Sequence, residues 1–162
     1  MSITIRSYET RDREAVCQFM AALQDWERQW APDRVPGATM AAPHIDYLLA
    51  LAETTGGKTF VAEANDGIKG FLVLIAESED EDDAHLLPEA KRYGVVTDLY
   101  VLDSARQQGI GDRLLAAAEA HAKIMGVSAL RIHTLTKNSA AIDFYQARDY
   151  QPYELILTKR VN

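Results

Sequence analysis

A single cysteine, Cys17, leaves this chain without an internal disulfide or a cysteine-based metal cluster. It lies in a helical pattern beside Phe19 and Met20, which predicts a reduced, structural thiol. The four histidines, His44, His85, His121 and His133, are scattered without a paired-ligand spacing, so no metal site is expected. No apolar run approaches the ~20 residues of a membrane helix, so no membrane partner is expected. The start Met1-Ser-Ile-Thr-Ile-Arg6 has neither the basic opening nor the apolar segment of a secretion signal, which predicts a cytoplasmic protein. Basic residues are the minority, 17 against 24 acidic for a net charge of −7, and this argues against a nucleic-acid partner. Cationic ligands are mildly favoured. Six of the seven residues from Glu77 to Asp83 are acidic, which reads first as a solvated loop and second as a rim that attracts an amine.

What is present describes one domain. At 162 residues, with 48% hydrophobic and 25% charged side chains, residues 1–162 are long enough for one core and too short for two ordinary domains. Residues 3–8 alternate as a short strand. Val16, Phe19, Met20, Leu23, Trp26 and Trp30 recur at helical spacing until Pro32 and Pro36-Gly37. A second helix is expected from near Pro43 to Gly56-Gly57, with Ile45, Leu48, Leu49 and Ala52 on its apolar face. Strands follow over 59–64 and 68–76, joined by Asn65-Asp66-Gly67. After the acidic loop come a strand at 95–101, a helix at 110–125, a strand at 129–133, a helix at 139–147 and a closing strand at 153–159. The order β-α-α-β-β-β-α-β-α-β predicts an α/β fold with a mixed sheet and helices on its faces. No internal repeat or low-complexity segment interrupts it.

The most specific feature is Arg106-Gln-Gln-Gly-Ile-Gly111, between the strand ending at Val101 and the next helix. A strand feeding a glycine turn and then a helix aims unpaired N–H groups, backed by the positive end of the helix dipole, at one point. A phosphate suits that point, and Gly109 and Gly111 let the main chain come close to it. The P-loop is excluded because no Lys-Ser or Lys-Thr follows Gly111, and the dinucleotide fingerprint is excluded because Leu114 stands where its third glycine would be.

The pattern Arg106-x-x-Gly109-x-Gly111 after Leu99-x-Val101 resembles the acetyl-CoA signature of the GNAT family of N-acetyltransferases. A second motif, Asn138-x-x-Ala141-x-x-Phe144-Tyr145, resembles that family's downstream motif in the same order. The family motif commonly continues to a glycine and an aromatic, whereas this chain has Asp149-Tyr150. The resemblance implies a GNAT-like fold and an acetyl-CoA-dependent N-acetyltransferase in which a primary amine of a small molecule attacks the thioester directly. It implies that the backbone of Gln107, Gln108, Gly109, Ile110, Gly111 and Asp112 holds the coenzyme diphosphate, with Arg106 adding charge. The backbone of Leu99, Tyr100 and Val101 would pair with the pantetheine arm as though it were a strand.

On a helix beginning at Asn138, positions 138, 141 and 145 fall within about a 60° arc. By resemblance, Asn138 would hydrogen-bond the coenzyme near its thiol, Ala141 would leave room for the arm, and Tyr145 would protonate the departing thiolate. A phenol with a pKa near ~10 suits that last task. The amine also needs a base, for which Asp98 is the first candidate and His133 the second. Glu27 and Tyr47, on the two early helices, are candidates for contact with the acceptor. The same motifs leave open a non-catalytic acyl-CoA-binding sensor or interaction module, and transfer to a protein amine. The closing strand leaves room for a homodimer.

Overall fold

The structure, a computed structural model, describes residues 2–161. Five strands form one sheet in chain order: β1 (Thr4–Ser7), β2 (Lys58–Ala64), β3 (Gly67–Ser78), β4 (Arg92–Val101) and β5 (Leu130–Ile132). The first four are antiparallel and β5 joins β4 in parallel. Helices α1 (Arg13–Arg28) and α2 (Gly37–Thr55) cover one face, where Val16, Phe19, Met20, Ile45 and Leu48 pack on Val61, Phe71, Val73 and Val95. Helix α3 (Ile110–Ile124) covers the other face with Ile110, Leu114, Leu115 and Ala118 against Phe60, Leu72, Leu74 and Val96. Both faces of the central strands are therefore buried, which is why they read as nearly continuous apolar runs rather than alternating ones. Helix α4 (Ser139–Gln146) completes this second layer through Phe144 and Tyr145. The mixed α/β architecture expected from the sequence is borne out, in order, through α4.

Two expectations are corrected. Helix α2 begins at Gly37 rather than near Pro43, and Pro43 lies inside it. Pro36 takes the N-cap position and the Asp25 carboxylate accepts the Gly37 N–H at 2.8 Å, so the helix starts where this cap is available. The second correction concerns residues 153–159, which form no strand. A strand is held by main-chain pairing, and this segment makes no main-chain hydrogen bond to any edge of its own sheet among the described residues. Asp149, by contrast, holds φ 65° and ends the α4 segment in the left-handed conformation that a glycine would otherwise supply.

One irregularity sets the direction in which the later β4 side chains point. Val73 is opposite Asp98 and Leu74 is opposite Val96, so Thr97 is an extra residue in β4, a bulge. The bulge reverses which face each later residue serves. Tyr93 and Val95 pack toward α1 and α2, and so does Tyr100, whereas Leu99 and Val101 pack toward α3. Asp98, next to Leu99, is thereby turned toward α1 and α2.

Helices α1 and α2 approach closely at Gly37, where a Cβ would come within 2.2 Å of the Ala21 carbonyl oxygen. Gly37→Ala is expected to destabilise the fold by about 1–3 kcal/mol through overpacking, read as a lower urea midpoint with an unchanged slope.

Candidate active site

Beyond Val96 the two parallel strands part. Gly94, Val95 and Val96 pair with Leu130, Arg131 and Ile132, and no residue of β4 after Val96 pairs with β5. A cleft of about 460 Å³ opens at that divergence, lined from both layers of the molecule. Helices α1 and α2 and the loop between them contribute Glu27, Arg34, His44 and Tyr47, β4 contributes Thr97, Asp98 and Leu99, the chain just past β5 contributes His133, and α4 with its N-cap contributes Asn138, Ala141 and Tyr145. Eight of the site candidates from the sequence, Glu27, Tyr47, Asp98, Leu99, His133, Asn138, Ala141 and Tyr145, thus share one cavity.

The electrostatics of the cleft follow from burial. Desolvation pushes the Asp98 carboxyl above the usual carboxylate range. Glu27 is raised for the same reason, pulled back by Arg34 and pushed further by Asp98. Arg34 forms an ion pair with Glu27 and reaches the Gln24 side-chain oxygen at 3.4 Å. The Tyr145 phenol is pushed up to about 12, first by burial and then by the charges of Asp98 and Glu27, so it keeps its proton at neutral pH. Its ring is fixed edge-on by Phe144 at 5.3 Å and Tyr150 at 5.9 Å. Asn138 is buried and caps α4, its side-chain oxygen accepting the Ala141 N–H at 3.2 Å. That bond occupies the carbonyl end of the amide and leaves the NH₂ end for the cleft.

The glycine turn lies outside this cavity but is clasped to it. Gln107 (φ 61°) and Gly109 (φ 72°) both take left-handed conformations, and the N–H groups from Gln107 to Gly111 find no acceptor among the described residues. Gly109 has open space around its Cβ position, so its role is conformational. Gly111 differs. Its backbone is helical, and a Cβ there would be 2.8 Å from the Phe144 ring, so the missing side chain admits α4. Arg148 pairs with Asp112 and stacks on Phe144 at 3.7 Å, and this joins α3 to α4. Ile110 is buried in the core, so only its backbone faces the turn. Arg106 is held back, donating to the Val101 carbonyl at 3.1 Å and pairing with Asp103 at 2.6 Å. Tyr100 sends its ring into the core against Phe19, at 5.2 Å.

Sequence reading missed Arg34, which has no periodicity or motif to mark it, and Thr97, whose place depends on a bulge. The Thr97 hydroxyl is buried beside Asp98 and pulls that carboxyl back toward its ordinary range. His44 was visible only as one polar residue among several. It stacks on Tyr47 at 6.0 Å and faces the cleft. Of the acidic run, Glu77 reaches the cleft, whereas Glu79 is engaged by the Tyr93 hydroxyl at 2.9 Å.

A sequence model of the acetyltransferase (GNAT) family matches residues 20–150. The chain is 28% identical to the uncharacterized N-acetyltransferase YhfO of Bacillus subtilis over 149 residues, which are 92% of this chain and 90% of that one. Its fold is similar to that of a Bacillus halodurans protein solved as a tetramutant, with a TM-score of 0.81 at 18% identity over 98% and 99% of the two chains. It is also similar to AAC(6')-Iy in complex with a bisubstrate analog, CoA-S-monomethyl-acetylneamine, with a TM-score of 0.70 at 18% identity over 100% and 99% of the chains.

The raised Asp98 carboxyl carries a signed consequence for stability. The folded chain holds this proton more tightly than the unfolded one, whose value is near 3.8, so the ionised form costs stability as pH rises through the folded value. Asp98→Asn is expected to raise Tm at about pH 8 and to leave it nearly unchanged at about pH 3, where both states carry the proton. Scanning calorimetry at the two pH values measures the difference.

Proposed function

The chain belongs to the acetyltransferase (GNAT) family, and we propose that it transfers an acetyl group from acetyl-CoA to a primary amine of a small molecule by direct attack. The observation that carries this reading is the meeting of a protonated phenol, Tyr145, and an enclosed carboxyl, Asp98, in one cleft where two strands part. The acetyl donor supplies a thioester, a carbonyl already activated toward amines. Residues of this chain supply the rest.

Unpaired N–H groups from Gln107 to Gly111, at the positive end of α3, fit a diphosphate. Past Val96 the β4 main chain has no partner on its β5 side, and this open side, at Leu99 above all, fits an amide-bearing arm, with the Asn138 amide also lining the cleft. In the reaction the amine nitrogen bonds to the carbonyl carbon, the carbon–sulfur bond breaks, Tyr145 gives its proton to the sulfur, and Asp98 takes the proton the nitrogen loses. Burial tunes both partners in a useful direction. A carboxyl raised above its usual range is a better base than an ordinary one, and a phenol raised to about 12 stays protonated throughout the working range.

The volume of the cleft, about 460 Å³, supports a small acceptor rather than a folded protein surface. Glu27, Glu77 and Asp98 line it, which favours a cationic amine, and Arg34 offsets part of that charge at Glu27. The aminoglycoside N-acetyltransferase whose fold this chain shares is consistent with a small-molecule amine. A sensor that merely bound the coenzyme would have no chemical use for the Tyr145 phenol.

Calorimetric titration of acetyl-CoA is expected to give saturable binding, weakened at least about tenfold in Gly109→Glu, which sets a carboxylate against the diphosphate at the start of α3 and strains the left-handed backbone there. No binding to the wild type would reject the reading. Tyr145→Phe is expected to lower kcat by about 10²-fold or more on an amine acceptor while acetyl-CoA affinity is kept. For pH, kcat/KM should rise as Asp98 loses its proton, with no decline from Tyr145 below about pH 10. In Asp98→Asn the Asp98 part of that rise should vanish.

A further inference from the structure

Arg34 lines the same cleft as the carboxyls of Glu27, Glu77 and Asp98, and the chain fixes it from several sides. Its N–H donates to the Ala31 carbonyl at 3.1 Å, and its own carbonyl accepts from the Arg28 Nε at 3.1 Å. Gln24 does more. Its side chain is buried, its Nε2 donates to the next carbonyl, that of Val35, at 2.9 Å, and its Oε1 accepts from the Arg34 guanidinium. A loop residue pinned at both backbone and side chain loses little further freedom when a ligand binds.

The guanidinium is only half used. Its bonds to Glu27 and Gln24 both leave from Nη1, so Nε and Nη2 have no partner among the described residues. Those two atoms form the edge on which arginine takes a carboxylate side-on. This protein shows that grip twice: Arg13 holds Asp46 through Nε and Nη2 at 3.0 and 2.8 Å, and Arg6 holds Glu63 through the same pair at 2.7 and 3.0 Å. A pairing that served only to neutralise Glu27 would gain most from that edge, yet here the edge is kept out of it. With 37% of its side chain still exposed, Arg34 has room for a second anion.

We propose that Arg34 selects the acceptor, and that the acceptor amine also carries a carboxylate, as an amino acid does, held side-on by Nε and Nη2. This acceptor class narrows the transfer reading above and rests on it. The cleft then divides by charge. Asp98 and Glu77 attract the ammonium end of a zwitterion, and Arg34 takes the carboxylate end. Burial raises the Asp98 carboxyl while Thr97, His44 and Arg34 each draw it back, so Arg34 lies within electrostatic reach of the group that would take the amine proton. One small molecule can therefore meet both. A polycation of the aminoglycoside kind has no group for the open edge and is repelled by it.

Acetyl transfer, read by release of the coenzyme thiol, tests this with amino acids, the carboxamide of each, polyamines and aminoglycosides as acceptors. The wild type is expected to give an acid at least about tenfold the kcat/KM of its carboxamide, chiefly through KM. Arg34→Met should shrink that ratio at least about fivefold, and Arg34→Lys, which keeps the charge beside Glu27 but not the fork, should restore only part of it. A merely structural role for Arg34 would lower both acceptors alike, so the ratio is the readout. Should Arg34→Met fail to fold, a ratio in Arg34→Lys below that of the wild type supports the grip. Equal or better turnover of carboxamides, transfer confined to polycations, or a ratio unchanged in the variants overturns the proposal and leaves the transfer reading standing. No transfer to any acceptor by a protein that binds acetyl-CoA rejects both.

Discussion

β4 and β5 share three registered pairs and then separate, and the candidate site depends on that separation. A sheet that continued in register would bury its backbone groups and close the space between layers. Here the divergence leaves β4 main chain open, opens a cleft through the sheet, and brings α1 and α2 on one face into the same cavity as α4 on the other. The Thr97 bulge adds direction to the opening. By inserting one residue it turns Asp98 toward Glu27, Arg34 and His44, and it keeps Tyr100 in the core on the same side.

The cleft would be of little use if α4 were free to shift. Its position is set by a compact clasp, with Gly111 admitting Phe144, and Arg148 stacking on that ring while pairing with Asp112. The residues involved belong to the glycine turn and to the second motif. The two motifs are therefore coupled physically as well as by order in the chain. One supplies open N–H groups, the other supplies Asn138 and Tyr145, and the glycine that looks like part of the anion turn also sets the spacing between them.

Burial is the second theme. Desolvation raises Asp98, Glu27 and Tyr145 together, because each is charged only in the form that a partly closed cavity disfavours. Raising the phenol extends upward the range of pH over which it still has a proton to give, while raising the carboxyl makes it a stronger base and moves upward the pH above which it can accept one. Arg34 limits the effect at Glu27. A loop residue between α1 and α2 thus adjusts the charge of a cleft whose other walls are strands and helices.

Much of this was legible in the chain alone. Apolar periodicity located α1, α3 and α4 and the strands β2 to β4, because each of these elements buries a face, and burial is what periodicity records. The turn at Arg106 to Gly111 and the motif from Asn138 to Tyr145 were legible because backbone conformation and helical spacing constrain them locally. Other features were decided by contacts distant in sequence. The start of α2 depended on Asp25 as a cap, the facing of Asp98 on a bulge opposite Val73 and Leu74, and the closeness of Gly111 to Phe144 on how α3 meets α4. The segment from Tyr153 to Lys159 shows the division most clearly. Its composition determined that it could be a strand, but strand formation requires main-chain pairing, and only the tertiary structure decided that the segment pairs with no edge of its own sheet.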